Sequence, residues 1–544
     1  MADDIELPAP PPLDAADFLG RFDWHPEPEL IGFRDETTSR AAVERLGEAT
    51  WATAVEFLYG QAATRAMGAQ GDDRAARDAF FEGMPPAPAP VGPTTAADVL
   101  AEFERRLAPY QLNAQHPRNF GYFTPPPLLM SIAGEILAQV ANQGVDVWHA
   151  GPTAAFVEEE VVRWLADLVG YGPDSFGLLT SGGVMANFMA MALARDVHLR
   201  ELCALERPPR GADLEGVRVY ASDQTHFSIA RALDELGFPA GTLCVVPADD
   251  DFRLRAAQVA DVVARDRAAG LTPLAIAAVA GSTNTGAVDA IDELADLADR
   301  EDLWFHVDAA YGGAARLSAT LASRVPALER ADSVTVDPHK WFFQAYDIGG
   351  LLVRDGRNLE QAFGGRRPEY YRGGEDPATG DGHHEDETGK LNFWKLGFEG
   401  TRRWRALKLW LSWKHLGTAG LARLVEANVE LAAHLARRCA EAGDFEALPE
   451  APALSVVCFR HLPGGRDAAR ALPPHGLDAH QDRLQARLEA SGDGWLTTTR
   501  LRGATWLRAG IVNYLATEAD VDRLLDTLRR LGVAEPVGAP EPVR

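Results

Sequence analysis

Lys340 is the first lysine of the chain and one of only five, the others being Lys390, Lys395, Lys408 and Lys414. Arginine carries nearly all the other positive charge, so a lysine in the run SVTVDPHKWFF points to chemistry that arginine lacks. A guanidinium stays protonated, whereas a buried ammonium can give up its proton and condense with an aldehyde as a Schiff base. The competing reading is a surface lysine left over from a GC-rich codon bias. Against it stand His339 next door, Asp308 inside an apolar run upstream, and the pair Gly182-Gly183 at a helix start.

Asp308 is flanked by Trp304, Phe305, Val307, Ala309 and Ala310. A carboxylate in that setting is costly to bury unless a cation pairs with it. A pyridinium nitrogen is such a cation, and keeping it protonated makes the ring an electron sink. A structural ion pair or a helix cap is the other reading. Ser181-Gly182-Gly183 precedes a helical pattern, where glycines allow close approach and free amides suit a phosphate. It is also a common helix-entry turn. His226, in SDQTHFSIARA, is either a structural histidine or a flat ring to lay over a cofactor. The cluster DGHHEDE at 381–387 has adjacent histidines rather than an i, i+4 pair, so an acidic loop is expected there and no metal.

These residues need a scaffold, and the apolar runs supply it. The segments 217–222, 242–248, 274–282, 304–310 and 333–337 alternate with amphipathic stretches, which predicts a mainly parallel sheet covered on both faces. Ligands bind beyond the carboxyl ends of such strands, and 281–285, 308–311 and 339–340 all fall there. Helices are expected at 398–416, 418–442, 476–491 and 517–531, with strands at 453–461, 495–501 and 505–513. This gives an α/β chain in three parts: an N-terminal arm and helical segment (1–110), a large domain (111–415) and a small C-terminal α/β domain (416–544). The polar stretch 364–391 reads as a functional loop.

Composition narrows the partners. A net charge of −26 over 544 residues repels phosphate backbones and anionic lipids, so neither nucleic acid nor a membrane is expected. Four cysteines without CxxC spacing suggest neither a disulfide framework nor a zinc site. No leader-like segment and no run of about 18 apolar residues occurs, and a cytoplasmic enzyme is expected.

The motifs HPRNFGYFTPPP, TSGGVMANFMAM, SDQTHFS, GSTNTGAVDAID, HVDAAYGG, VDPHKW and RRWRALKLW occur in that order. Together they resemble the group II pyridoxal-phosphate-dependent amino-acid decarboxylases. The resemblance implies an aspartate-aminotransferase-like, fold type I enzyme with pyridoxal 5'-phosphate as cofactor. It implies that Lys340 holds the cofactor, Asp308 pairs with the pyridine nitrogen, Ala310 packs under the ring and His226 stacks above it. Gly183 and Val184 would offer amides to the phosphate, with Asp337 and His339 in the same region and Thr283 near the ring hydroxyl or the substrate carboxylate. Phe120, Tyr122 and Phe123 would form a substrate wall, joined by Trp148 and Asp146 from a neighbouring subunit; Asp146 either reads a polar group there or faces solvent. A loop tyrosine, Tyr370 or Tyr371, would return a proton after carbon dioxide leaves. The expected activity is decarboxylation of an L-amino acid, aromatic first, in a homodimer with shared sites. The alternatives are an aldehyde synthase and a decarboxylase for a polar or cationic amino acid.

Overall fold

The computed structural model describes residues 19–32, 38–60, 65–66, 88–365 and 390–533. The chain divides into two compact units, Met1–Asn119 with Ala486–Trp495, and Phe120–Gln485 with Leu496–Arg544. The described part of the first unit is helical. It includes Thr38–Gly60 and Ala96–Glu102, the latter started by Thr95, whose hydroxyl accepts the Asp98 amide.

The second unit holds two sheets. The larger contains β1 (Phe176–Thr180), β2 (Val217–Ser222), β3 (Leu243–Val246), β4 (Thr272–Val279), β5 (Trp304–Asp308), β6 (Ser333–Val336) and β7 (Gly349–Val353), in the order β1-β7-β6-β5-β4-β2-β3. Strand β7 alone runs antiparallel to its two neighbours. Five of these strands match the sequence expectation within a few residues. Strands β1 and β7 were not anticipated, since each is a short apolar run that periodicity alone does not separate from a buried helix. The smaller sheet, order β10-β11-β9-β8, is wholly antiparallel: β8 (Phe445–Leu448), β9 (Val456–His461), β10 (Thr497–Leu501) and β11 (Ala504–Gly510).

The central strands are buried along their length, as expected of a sheet with helices on both faces. The helix Ile291–Glu301 shows the pattern of such a cover. Its Ile291, Leu294, Ala295, Leu297 and Ala298 are buried, with Asp292 and Glu293 in the first turn and Arg300 in the last, which suits the helix dipole. The two C-terminal helices expected from sequence form one span, Ala406–Glu441, broken only at Gly417 (φ 66°, ψ 168°). Among the described residues no helix is long and apolar enough to cross a membrane.

Two features position the cavity described next. Gly349 in β7 lets the backbone at Gly182 lie directly against that strand; a Cβ there would stand 2.5 Å from the Gly182 Cα. An aromatic stack then ties β5 to the turn after β6, with Tyr311 between Phe123 (4.2 Å between ring centroids) and Trp341 (4.8 Å). The Tyr311 hydroxyl is bonded to Ser455 and the Trp341 indole donates to Asn428, so the turn is anchored from both sides.

Candidate active site

At the carboxyl ends of β4, β5 and β6 lies a cavity of about 360 Å³, lined among others by Gly182, Gly183, Val184, His226, Thr283, Asp308, Ala310, Asp337, His339 and Lys340. Residues up to 159 positions apart, Ser181 and Lys340, thus meet in one place, at strand ends, helix starts and the turns between them. Asp308 closes β5, and β6 leads through Asp337 into the turn that carries Lys340. That turn is held by the Lys340 amide on the Asp337 carbonyl and the His339 amide on the Ile348 carbonyl.

The Lys340 amine lies 3.0 Å from Asp337 Oδ2. Burial works against its charge, but Asp337 and Asp308 outweigh it, and the lysine pKa lies above its ordinary value. This differs from the expectation of a lysine deprotonated by burial: two carboxylates sharing the cavity keep the amine charged until one of them is otherwise engaged. Asp337 Oδ1 is buried without a hydrogen-bond partner, an acceptor left over for a bound group. His339 Nδ1 accepts the Ile348 amide, and burial lowers the pKa of this ring, so it is neutral with its proton on Nε2.

Asp308 is 6% exposed. Its Oδ2 accepts from Asn187 Nδ2 at 2.8 Å and its Oδ1 from the Ala310 amide at 3.1 Å. His226 Nδ1 bonds the Ser228 hydroxyl at 2.8 Å, and burial lowers the histidine pKa, so the ring is neutral near pH 7. The helix Gly183–Leu193 begins at the cavity, and its first amides have no intrahelical acceptor. A Cβ at Gly183 would meet Asp337 Oδ2 at 2.8 Å, so only glycine leaves this cradle open. The donor set fits pyridoxal phosphate. It offers an amine for an aldehyde, a buried carboxylate for a pyridinium, a flat neutral imidazole for the ring face, and a glycine-lined helix start for a phosphate.

Other residues read from the sequence lie elsewhere. Phe120 and Phe123 are buried, Phe123 between Tyr311 and the Arg508 guanidinium (4.8 Å), so neither lines the cavity. Tyr122 is exposed, and Asp146 and Trp148 are half-buried and likewise outside the cavity wall. Trp148 packs edge-on to Phe156 (4.9 Å). Tyr370, Tyr371 and the 381–387 cluster lie outside the described residues.

Two groups were missed in sequence. Asn187, 1% exposed, stands one helical turn after Gly183 and binds Asp308 directly; a lone polar residue in GVMANFMAMAL was the available signal. Arg508 is a single charge in the buried strand β11. Its Nε donates to the Thr283 carbonyl (2.6 Å) and its Nη1 to the Gly121 carbonyl (2.9 Å). No carboxylate pairs with it among the described residues, and its Nη2 is buried without an acceptor.

Comparison with known proteins agrees with this chemistry. Residues 82–462 match the pyridoxal-dependent decarboxylase conserved domain. The aromatic-L-amino-acid decarboxylase of Bacillus atrophaeus is 32% identical over 77% of this chain and 82% of its own length. The L-2,4-diaminobutyrate decarboxylase of Rhizobium meliloti is 30% identical over 81% of this chain and 83% of its own. The crystal structure of the glutamate decarboxylase domain of a diaminobutyrate-pyruvate transaminase and L-2,4-diaminobutyrate decarboxylase from Vibrio parahaemolyticus superposes with a TM-score of 0.76 at 26% identity. It covers 92% of this chain and 97% of that one, in agreement with the fold type I class expected from sequence. The chain belongs to the pyridoxal-dependent decarboxylase family and is an amino-acid decarboxylase that uses pyridoxal phosphate.

Proposed function

We propose that the enzyme removes carbon dioxide from an aromatic L-amino acid and releases the corresponding amine. The observation that carries the reading is one cavity in which a lysine amine and a buried, hydrogen-bonded carboxylate face the same space, with a glycine-lined helix start beside them. When bound, pyridoxal phosphate supplies an aldehyde for an amine and a protonated ring that accepts the electron pair left by departing carbon dioxide. Lys340 would hold the cofactor through its amine. Asp308, its two oxygens fixed by Asn187 and the Ala310 amide, would keep the ring proton in place. Ala310 and neutral His226 would pack against the ring. The amides of Gly183 and Val184 would hold the phosphate, with Asp337 and His339 in the same region, and Thr283 would meet a polar edge.

The aromatic choice rests on the apolar side chains of the cavity wall. Among the described residues its carboxylates are Asp308 and Asp337, the first bonded to Asn187 and Ala310 and the second paired with Lys340. Val184, Met185 and Phe227 add apolar surface to the same wall. The resemblance to an aromatic-L-amino-acid decarboxylase supports the same choice. Carbon dioxide release from the twenty standard amino acids, DOPA, ornithine and 2,4-diaminobutyrate tests it. Turnover of an aromatic substrate is expected; release from 2,4-diaminobutyrate and from no aromatic acid would overturn it.

The proposal includes the proton donor, the assembly and the compartment. A phenol remains protonated at neutral pH, so Tyr370 or Tyr371 is suited to protonate the α-carbon. Replacing the right one by phenylalanine should leave carbon dioxide release intact while product turns to aldehyde with oxygen consumed, read by an oxygen electrode. If both single variants and the double variant give amine alone, the donor lies elsewhere. The working form is a cytoplasmic homodimer, in which the exposed Tyr122, with Asp146 and Trp148, contributes to the partner's site.

A further inference from the structure

Asn187 sits at the centre of a buried polar network whose hydrogens can be assigned one by one. Its Nδ2 is 2.8 Å from Asp308 Oδ2 and 2.8 Å from Ser228 Oγ. Its Oδ1 is 2.7 Å from Thr335 Oγ1 and 3.0 Å from His306 Nε2. Turning the amide over would set its oxygen against the Asp308 carboxylate, two acceptors face to face, so the orientation is determined by Asp308. With oxygen toward His306, that ring must donate from Nε2. Its Nδ1 therefore accepts the Ser333 hydroxyl at 2.9 Å, and the Ser333 oxygen accepts the Trp304 indole at 3.0 Å. Every member of this rear wall is buried and each proton has one place to go.

The same logic runs forward. Ser228 Oγ accepts from Asn187, so its hydroxyl hydrogen points to His226 Nδ1 at 2.8 Å. The Ser228 backbone amide also approaches that nitrogen, at 3.3 Å, near the outer limit for a hydrogen bond. We propose that Asn187 is a positioning residue that couples the two groups facing the cofactor, holding the Asp308 carboxylate directly and, through Ser228, keeping the His226 proton on Nε2, the nitrogen left available to a bound group. This rests on the reading that Asp308 and His226 touch the cofactor, while the coupling itself belongs to the protein alone.

The test uses full-length enzyme labelled with nitrogen-15 in histidine, both cofactor-free and loaded, with His226→Gln identifying the resonance. In the unaltered protein two-bond proton–nitrogen spectra should show His226 protonated on Nε2 only. Asn187→Asp replaces the donor facing Ser228 with an acceptor. The serine hydroxyl then turns to it, and a population protonated on Nδ1 should appear without cofactor. In the loaded enzyme kcat should fall about ten- to a hundred-fold with KM within about threefold, the loss usual for an outer group that aims a functional one. A residue that merely fills space would lower stability and kcat and leave the tautomer alone, which would overturn the proposal. Should Asn187→Asp not fold, Ser228→Ala removes the relay. The nitrogen-15 shift of His226 Nδ1 should then move toward that of an unbonded ring nitrogen, because only the 3.3 Å amide still faces it, and kcat should fall. An unmoved Nδ1 shift in Ser228→Ala, with unaltered kcat, would sink the idea. If the tautomer moves as expected but no amino acid is decarboxylated, the proposed function falls and the coupling stands.

Discussion

At the scale of the residue, the site depends on charges that satisfy one another before anything binds. Lys340 is kept charged by Asp337 and Asp308, so the proposed role as nucleophile requires that balance to change. Lys340→Ala should abolish the visible absorbance of the bound cofactor and nearly all turnover, and Lys340→Arg should do no better, because a guanidinium offers no free amine. A borohydride-reducible adduct surviving in Lys340→Ala would refute the assignment. His306, behind Asp308, makes a second test. Burial favours its neutral ring and lowers its pKa from 6.5 to about 4. The stability this contributes is complete above the unfolded value and is lost as pH falls through the window from about 6.5 to about 4. Between pH 7 and pH 5 the protein should therefore lose about 2 kcal/mol more than His306→Gln, as read from urea unfolding. Equal losses in the two proteins would show that His306 is protonated in the folded state.

At the scale of the element, the cavity is a junction of strand ends and one helix start. β5 supplies Asp308, the turn after β6 supplies Lys340, and the helix Gly183–Leu193 supplies both the amides at its tip and Asn187 one turn later. The close approach of that helix to β7 and to Asp337 leaves no room for a side chain. Gly183→Ala would place a methyl 2.8 Å from Asp337 Oδ2, and Asp337, 2% exposed, has nowhere to retreat. We expect this variant to fold with near-normal circular dichroism and to bind pyridoxal phosphate at least about tenfold more weakly, roughly 1.4 kcal/mol, by equilibrium dialysis. Unchanged affinity would remove the helix start from the phosphate site.

At the scale of the whole molecule, one helix argues for a partner. Leu129–Ala141 buries Ser131, Gly134 and Ala138 and leaves Leu129, Ile136, Leu137 and Val140 exposed, Val140 by 81%. Apolar side chains grouped on one face in this way mark association surfaces. For the proposed homodimer, Leu137→Glu with Val140→Glu should shift sedimentation from dimer to monomer and remove activity, since the proposed shared sites would be incomplete in a monomer. A monomer fully active at nanomolar concentration would refute the shared site.

Much of this was legible in the sequence because it is carried by covalent neighbours. The lone lysine after VDPH, the carboxylate in an apolar run, the glycine pair before a helix and the alternation of strand and helix are local patterns, and local patterns set which element forms. The motif order identified the family for the same reason. What the tertiary structure decided are the pairings between distant segments. Asn187 meets Asp308 across 121 residues and Arg508 meets Thr283 across 225, contacts that no periodicity encodes. The insertion of β7 between β1 and β6 is of this kind too, since strand order follows from which apolar faces pack together. So is the charge on Lys340: its sequence neighbours suggest a buried amine ready to react, and only the folded cavity brings Asp308 close enough, with Asp337, to hold the proton on.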